Sequence, residues 1–373
     1  MRVQKVLAWM ALAVFAVGCT QQKPVDDEAA MDVPDWLSSD SSESGPDKRV
    51  SNSNDDSDSE LNHEAGEEPT TQPASKGQRT SAAKELRGEL KLQLEPGEQF
   101  PLRKQVVTTL LQTASDGSQQ KIVTDLRLLL AIQVEEVAAG RTRLSVRYNR
   151  VEFKQNMDGQ EFAYRSDNPP AEIPVAARAY HDMINDGFSF WIGQDNQINE
   201  VVGFREFIER CLVNIPPAQQ KQVLMGMEAS SDENGISDFV DNTIGLLPFG
   251  RDVTPGQEWT RQHSIGRPIP MVVDSVYTLQ DLTESEAVVR ITGKIVPSQT
   301  INKVSHTQDG IQVHVLGGTT SGKCVIFRET GLPKESYTER VVNMTVDLGD
   351  GQAFEQTKTV QTRVEAFPAE RQP

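Results

Sequence analysis

Apolar and polar residues alternate along most of the chain beyond residue 90, which is the period of β-strands. Since a strand points successive side chains to opposite faces of its sheet, this alternation predicts strands with one buried face. Long strands are expected over residues 100–110, 122–137 and 144–153, and a shorter one over 90–94. Strands well above the usual length of roughly five or six residues indicate an antiparallel meander with strong curvature.

The period changes to that of a helix in two places. Residues 175–184 follow Pro174 and precede Gly187, which is typical of the start and the end of a helix. Residues 204–245 repeat apolar side chains at three-and-four spacing and predict a helical block. This block lies between two regions of strands, so we expect its apolar stripe to pack on the concave side or the open edge of the sheet.

In that position the helical block serves either as a permanent plug or as a movable lid. A plug favours a structural role, whereas a lid favours ligand binding. Gly235, Gly245 and the Pro216-Pro217 break supply hinge-like joints, and they favour the lid.

The second half of the chain repeats the order of elements found in the first half. Residues 95–100 and 254–259 both place a Pro-Gly break and two polar residues before an aromatic residue that opens a strand. Residues 190–192, followed by a turn, correspond to residues 324–326. The order and spacing predict an internal duplication of units of roughly 110 residues, with chance likeness between β-rich segments as the alternative. The repeats would cover about residues 95–203 and 254–367, with the helical insertion at 204–245.

The predicted fold class is therefore α+β and mostly β. Long curved antiparallel strands in two pseudo-repeats form one domain, and the helical block packs alongside.

The start of the chain has the pattern of an exported lipoprotein. An apolar run over residues 6–18 follows positive residues and is too short to span a bilayer. Residues 16–19 read Ala-Val-Gly-Cys, similar to the bacterial lipobox, in which the cysteine is acylated and the chain is cut just before it. We expect Cys19 to carry the lipid, with an ordinary secretory peptide as the alternative. Thr20 stands where an Asp would favour the inner membrane, so a periplasm-facing location at the outer membrane is favoured.

The whole chain of 373 residues has a net charge of −17. Its composition separates a folded part from the rest. Residues 20–84 hold 15 Asp and Glu against 6 Lys and Arg and are rich in Ser, with too little apolar surface to fold. An acidic chain repels phosphate backbones, which excludes nucleic acid as a partner. The predicted organisation is a signal peptide (1–18), a lipidated acidic disordered tether (19–84), a β-rich duplicated domain (85–367) and a tail (368–373).

Two further cysteines are candidates for covalent chemistry. An exported domain permits disulfides, so Cys211 and Cys324 are a candidate bridge between the helical block and the second repeat. The alternative is that they are two independent buried thiols.

The remaining candidates for chemistry are histidines. His306 and His314 flank a turn and are a candidate metal pair, but no Cys, Asp or Glu set completes a coordination shell, which favours exposed strand residues. His181 precedes Asp182, and adjacent helical residues point in different directions, which disfavours acid–base work. The sequence contains none of the common catalytic or phosphate-binding motifs. We therefore expect no catalytic residues, no metal and no cofactor.

The Pro-Gly strand openings, the hairpin at residues 190–192 and the stretch from Gly322 to Pro333 together resemble an uncharacterised family of bacterial, planctomycete-type lipoproteins. The resemblance covers about residues 90–367. That family has no established activity, so the resemblance implies no functional residue. The expected function is a non-catalytic, membrane-anchored envelope lipoprotein whose curved sheet binds an apolar or peptide ligand. A structural or assembly protein acting through contacts with envelope proteins is the alternative, and an enzyme is the least favoured.

Overall fold

The computed structural model describes residues 87–220, 223, 240, 243–248, 250–265, 271–298, 312–348 and 352–366. Cys19, the tether, His306, the tail and most of residues 221–242 lie outside these ranges. The described strands are β1 (Gly88–Glu89), β2 (Gln99–Ala114), β3 (Gln119–Ala138), β4 (Arg141–Met157), β5 (Gln160–Arg165), β6 (Gly187–Ile192), β7 (Ile198–Val202), β8 (Asp252–Val253), β9 (Glu258–Ile265), β10 (Met271–Leu282), β11 (Glu286–Pro297), β12 (Gln312–Phe327), β13 (Pro333–Asp347) and β14 (Ala353–Ala366). The described helices are α1 (Val175–Asp182) and α2 (Phe204–Leu212).

One 12-stranded antiparallel sheet dominates the fold. Its strand order is β7, β6, β4, β3, β2, β14, β13, β12, β11, β10, β9, with β5 paired to β4. Strands β1 and β8 form a separate two-stranded sheet. The chain enters the large sheet near its middle, runs outward to β7, and returns from the other edge through β9 to β14. The prediction of a mostly β fold with long antiparallel strands is confirmed.

The sheet is curved, and glycines allow neighbouring strands to approach each other closely. A Cβ atom on Gly318 of β12 would lie 2.1 Å from the carbonyl oxygen of Val341 on β13, so any side chain there would force the two strands apart. Bulges add further twist, as where β3 and β4 shift register between Val134 and Glu136.

The strand expected over residues 90–94 is not formed. Only Gly88–Glu89 pairs as a strand, with β8. Beyond it, the Gln93 N–H donates to the Thr330 carbonyl oxygen at 2.9 Å, and Leu90 is buried. The apolar residues of this segment do alternate, but none of the described strands continues beside it.

Matching details occur at the start of β2 and of β9. The Gly97 N–H donates to the carbonyl of Val134 at 2.8 Å, and the Gly256 N–H donates to that of Leu279 at 2.7 Å. Each acceptor immediately precedes a register shift, in β3 and in β10. A duplicated unit would produce such matches, and the duplication itself stays a prediction.

Both helices are amphipathic and bury one face in the core. Helix α1 begins after Pro174, as expected, and buries Tyr180. Helix α2 buries the residues of one face, which are Phe204, Phe207, Ile208, Cys211 and Leu212. Neither of the helices that the structure describes is long and apolar enough to cross a bilayer.

Candidate functional site

The two faces of the large sheet are defined by the register of its strands. Directly paired residues of neighbouring strands project to the same face. Tyr148 of β4 stacks on Phe207 of α2 with ring centroids 5.7 Å apart, so its face is the one that α2 covers. We call this the inner face, and the opposite side the outer face.

One part of the inner face is filled by the protein itself. Here the strands and both helices share one continuous hydrophobic core, the proximal cluster, which includes Leu128, Tyr148, Phe190, Phe207, Ile208, Tyr277, Leu279 and Val289. Phe188 packs edge-on against Phe204 with centroids 5.0 Å apart. This dense aromatic packing makes the proximal part of the inner face a closed core.

Side-chain hydrogen bonds hold edge strand β9 in place beside the proximal cluster. The Trp259 Nε1 donates to the Leu246 carbonyl at 2.7 Å. The Arg261 guanidinium donates to the carbonyls of Leu247 at 2.7 Å and of Asp195, in the β6–β7 turn, at 3.0 Å. Arg261 therefore links β9, at one edge of the sheet, to the hairpin that contains the other edge.

A second apolar cluster lies farther along the same face. This distal cluster consists of the buried residues Met271, Val273, Ile295, Val342 and Met344, with Val313 and Val315 packed against it. A row of mostly polar or small inward-facing residues separates it from the proximal cluster: Gln155, Thr124, Thr108, Val360, Arg340, Thr320, Gly293, Ser275 and Arg261, each paired with the next. The helices α1 and α2 belong to the proximal cluster and not to the distal one.

Polar side chains run beside the distal cluster in what we call the polar stripe. It comprises Arg340 on β13, Lys358 and Gln356 on β14, Gln112 on β2 and Gln120 on β3. Gln112 is directly paired with both Gln356 and Gln120. On the other side, Gln356 is paired with Met344 of the distal cluster. The polar stripe therefore borders the distal cluster where β14 pairs with β13.

The side chain of Gln112 is the strongest sign of a site. It is only 2% exposed, yet neither its Nε2 nor its Oε1 has a hydrogen-bond partner among the residues that the structure describes. The neighbouring Gln120 has no partner for its Oε1. Leaving a buried amide group unsatisfied costs about 1–3 kcal/mol, so such groups in a native protein call for a partner such as water or a ligand.

Neither cysteine forms the candidate bridge. Cys211 and Cys324 are buried free thiols, the second of the two alternatives. Cys211 lies on α2, which packs against β6, whereas Cys324 lies on β12, and five strands separate β6 from β12 in the sheet order. Burial raises the pKa of Cys211 to about 12, with further contributions from the carboxylates of Asp186 and Asp182. Burial also raises the pKa of Cys324 to about 12, so both thiols are protonated and weakly nucleophilic.

The histidines do not assemble an acid–base or metal site in the part of the chain that the structure describes. His314 is exposed on β12, and His306 lies outside the described residues. The Nδ1 of His181 is hydrogen-bonded to the Tyr164 hydroxyl at 2.7 Å, while Asp182 accepts from Asn214 at 3.0 Å. His181 and Asp182 thus have separate partners. Among the described residues, no group of His, Cys, Asp and Glu is placed to hold a metal ion.

A cleft of about 420 Å³ lies at the other end of the strands, lined by Glu89, Gln93, Glu284, Ser285, Phe327, Arg328 and Glu329. The Arg328 guanidinium donates to the Thr283 carbonyl at 2.6 Å. The lining is polar, with one aromatic residue, and lacks the apolar walls typical of small-molecule sites. The distal part of the inner face is therefore the better candidate.

A family model described as "Family of unknown function (DUF6263)" matches residues 139–333, more than half of the chain. The chain belongs to this family. The resemblance to an uncharacterised family is confirmed to that extent. The matched residues run from the β3–β4 turn to the start of β13, so the polar stripe lies outside them. No curated protein sequence matches the chain.

Solved structures share only a distant likeness with this family member. A lipovitellin structure concerned with lipid–protein interactions is 10% identical, covers 75% of this chain and 27% of its own, and has a TM-score of 0.40. An outer membrane channel from Pseudomonas putida F1 is 7% identical over 74% of this chain and 97% of its own, with a TM-score of 0.21. OccK9 (OpdG) of Pseudomonas aeruginosa is 7% identical over 73% of this chain and 100% of its own, also with a TM-score of 0.21. The chain spans about a quarter of the length of lipovitellin, and TM-scores this low carry no argument.

Sequence reasoning did not single out the polar stripe. The sign of the stripe in the sequence is a polar residue that interrupts a series of apolar ones. The inward-facing positions of β2 include Val106 and Leu110, and the next such position is Gln112. The stripe becomes visible only when the register places β14 between β2 and β13.

Proposed function

We propose that this protein is a non-catalytic binding protein of the bacterial cell envelope, and that its curved sheet holds an apolar or peptide ligand on the distal part of the inner face. One observation carries the proposal: the Gln112 amide is buried without a partner beside an apolar cluster that α1 and α2 do not cover. Mostly apolar walls with a few convergent polar groups are typical of ligand sites.

The proposed location follows from the start of the sequence. Acylation of Cys19 would anchor the chain in a membrane, and the residues after it would act as a spacer that holds the sheet away from the lipid surface. Thr20 favours the outer membrane, with the folded part facing the periplasm. Under this proposal the chain is one of the planctomycete-type lipoproteins that its motifs resemble.

Catalysis is the least favoured activity. The thiols of Cys211 and Cys324 are both held protonated by burial, and the imidazole of His181 is engaged with Tyr164 in the wall of the core. A general base has to reach a substrate proton to act.

The test is a titration of the full chain carrying Cys19→Ser with a fluorescent probe that has a hydrocarbon chain and an amide group. We expect saturable binding, weakened about tenfold or more by Gln112→Leu, since one lost hydrogen bond of roughly 1.4 kcal/mol corresponds to that factor. The same substitution should stabilise the unliganded protein by about 1–3 kcal/mol, because it removes an unsatisfied amide.

A matched control is available on the same strand. Gln105 of β2 faces outward and donates to Asp125 Oδ1 at 2.9 Å. Gln105→Leu should leave probe binding unchanged. Binding that does not saturate, or that Gln112→Leu leaves unchanged, would count against a ligand site on the inner face.

The closed proximal cluster favours a second candidate, a structural or assembly protein that acts through its surface. Val213 and Leu316 are large apolar residues with 71% and 64% exposure. Under this alternative, photocrosslinkers at these two positions would join the chain to a single envelope protein in intact cells, and the fluorescent probe would not bind.

A further inference from the structure

Several basic side chains on the outer face of the sheet are held by a carboxylate. Arg363 contacts Glu365 at 2.7 Å and Glu335 at 3.1 Å. Arg127 contacts Asp125 at 2.9 Å on β3. Such pairing is expected on a sheet face, because opposite charges on neighbouring strands stabilise the sheet and like charges directly opposite each other destabilise it.

Arg290 of β11 and Lys323 of β12 depart from this arrangement. The two residues are directly paired, so their side chains leave the same face of the sheet side by side. Both are exposed, and within the described part of the chain neither has a carboxylate in ion-pair contact. Two like charges therefore stand opposite each other in a chain whose net charge is −17. The positions next to them on the same face of β11 and β12 carry no charge: Val288, Thr292, Ser321 and Val325.

An exposed tyrosine adjoins this pair. Tyr337 of β13 is directly paired with Lys323 and is 41% exposed. It is also directly paired with Arg363 of β14, which places Lys323 and Arg290 on the outer face. Tyrosine and arginine are enriched at the centres of protein interfaces. We call Arg290, Lys323, Tyr337 and the four uncharged residues beside them the basic patch.

Carboxylates border the basic patch on both sides. On β13, Glu335 and Glu339 lie two residues before and after Tyr337 and on the same face. On β10, Asp281 is directly paired with Val288. Since strands lie about 4.7–4.9 Å apart, the positive zone is only about 10 Å wide, close to one Debye length. A continuous anionic surface such as a bilayer would also meet these carboxylates, whereas a protein can place a single carboxylate at the centre of the patch.

We infer that the basic patch is a docking surface for another protein, which places a carboxylate between Arg290 and Lys323 and packs an apolar side chain against Tyr337. The guanidinium and the ammonium group would both donate charge-assisted hydrogen bonds to that carboxylate. The repulsion between the two cations would be replaced by two attractive contacts in the complex. The bordering carboxylates would disfavour partners with the wrong charge pattern, since like charges brought together weaken binding. The patch lies on the opposite side of the sheet from the distal cluster, so docking there does not depend on a ligand of the inner face.

The repulsion can be measured without the partner. Urea midpoints are compared for Arg290→Met, Lys323→Met and the double variant of the full chain carrying Cys19→Ser. Each single variant removes the whole repulsion, so the double variant should gain less stability than the sum of the two single effects. The matched control is Arg363→Met with Glu335→Gln, an attractive pair whose coupling should have the opposite sign. Additive effects of Arg290→Met and Lys323→Met would overturn the inference.

Docking is tested with a photocrosslinker at Thr292 in the full lipidated chain, in the cells that produce it. We expect one discrete adduct, whose partner segment, identified by mass spectrometry, contains Asp or Glu. The yield should fall about tenfold or more in Lys323→Glu, because like charges then meet across the interface. Lys334→Glu, which alters a lysine in contact with Glu286 at 2.7 Å, should leave the yield unchanged. A crosslinker at Gln133, exposed on the outer face of β3, should give no such adduct.

A charge exchange then identifies the contact. Replacing the crosslinked acidic residue of the partner with Lys should restore the adduct with Lys323→Glu. No adduct from Thr292, or an adduct that Lys323→Glu leaves unchanged, would overturn the inference. Vesicles of equal parts phosphatidylglycerol and phosphatidylcholine test the bilayer. If the chain carrying Cys19→Ser sediments with them and Lys323→Glu prevents this, the patch binds lipid and the inference of a protein partner is wrong.

Discussion

Tyr148 of β4 and Phe207 of α2 stack with an interplanar angle of 17° and centroids 5.7 Å apart. Phe207 is completely buried and also contacts Phe188 and Phe204. This contact makes α2 part of the core that supports the sheet. We therefore propose that α2 is a permanent plug of the proximal part, in contrast to the movable lid favoured on sequence grounds.

Phe207→Ala should lower the free energy of unfolding by about 3–5 kcal/mol, because it removes a buried aromatic ring and leaves a cavity. Urea denaturation followed by circular dichroism measures this loss. Val213→Ala, just after the same helix and 71% exposed, should change stability by less than about 0.5 kcal/mol. Equal stability of the two variants would contradict a plug.

Asp186 and Arg210 should make the attachment of α2 sensitive to acid. The carboxylate accepts from Arg210 at 2.6 and 2.8 Å, and this contact lowers the pKa of Asp186 below its ordinary value. A carboxyl group with a lowered folded-state pKa contributes stability above its unfolded pKa of about 3.9 and loses it as pH falls through the folded value. Asp186→Asn should therefore reduce stability at pH 7 and reduce the loss of stability below about pH 4. Urea midpoints at pH 7 and pH 3 measure both effects, and the exposed Glu209→Gln serves as the control.

The local elements follow from local patterns, whereas the site depends on distant pairing. Alternation predicts β3, and Pro174 with Gly187 predicts α1, because each signal lies within the element. The pairing of β2 with β14 joins the first and last long strands, and nothing in either strand specifies that partner. Gln112 and Lys358 come near each other only through this pairing, so the polar stripe was not predictable from the sequence. The absence of a Cys211–Cys324 bridge likewise follows from which strands α2 covers.

The thiols of Cys211 and Cys324 should be unreactive in the folded protein. Since burial raises the pKa of each to about 12, neither provides much thiolate at pH 8. Iodoacetamide followed by mass spectrometry should label neither residue in native protein and both after unfolding. Detection of a disulfide-linked pair of peptides containing Cys211 and Cys324 would instead show that the bridge forms.

The turns at Gly97 and Gly256 should respond alike to substitution. Their φ angles are +93° and +87°, and a Cβ atom at either position would have no atom within 4 Å. Gly97→Ala and Gly256→Ala should therefore each cost about 1–2 kcal/mol, from backbone conformation alone. Gly318→Ala should cost more, because its Cβ would overlap the Val341 carbonyl. Clearly different costs at the two turns would weaken the case for duplication.

Cys19 should determine where the protein partitions. In cells with a lipoprotein acylation pathway, Cys19→Ser should move the chain from the detergent phase to the aqueous phase, because two acyl chains anchor stably and none would remain. Metabolic labelling with a radioactive fatty acid checks the same point. Cys19→Ser protein that still carries covalent lipid would contradict the assignment.

The central claim is that the distal inner face holds a ligand, and native mass spectrometry of the full chain, gently extracted from its own membranes, tests it most directly. The predicted result is a mass above that of the lipidated polypeptide by one small molecule, released on unfolding and much reduced in Gln112→Leu but not in Gln105→Leu. A folded wild-type protein whose mass is that of the lipidated polypeptide alone would contradict the account.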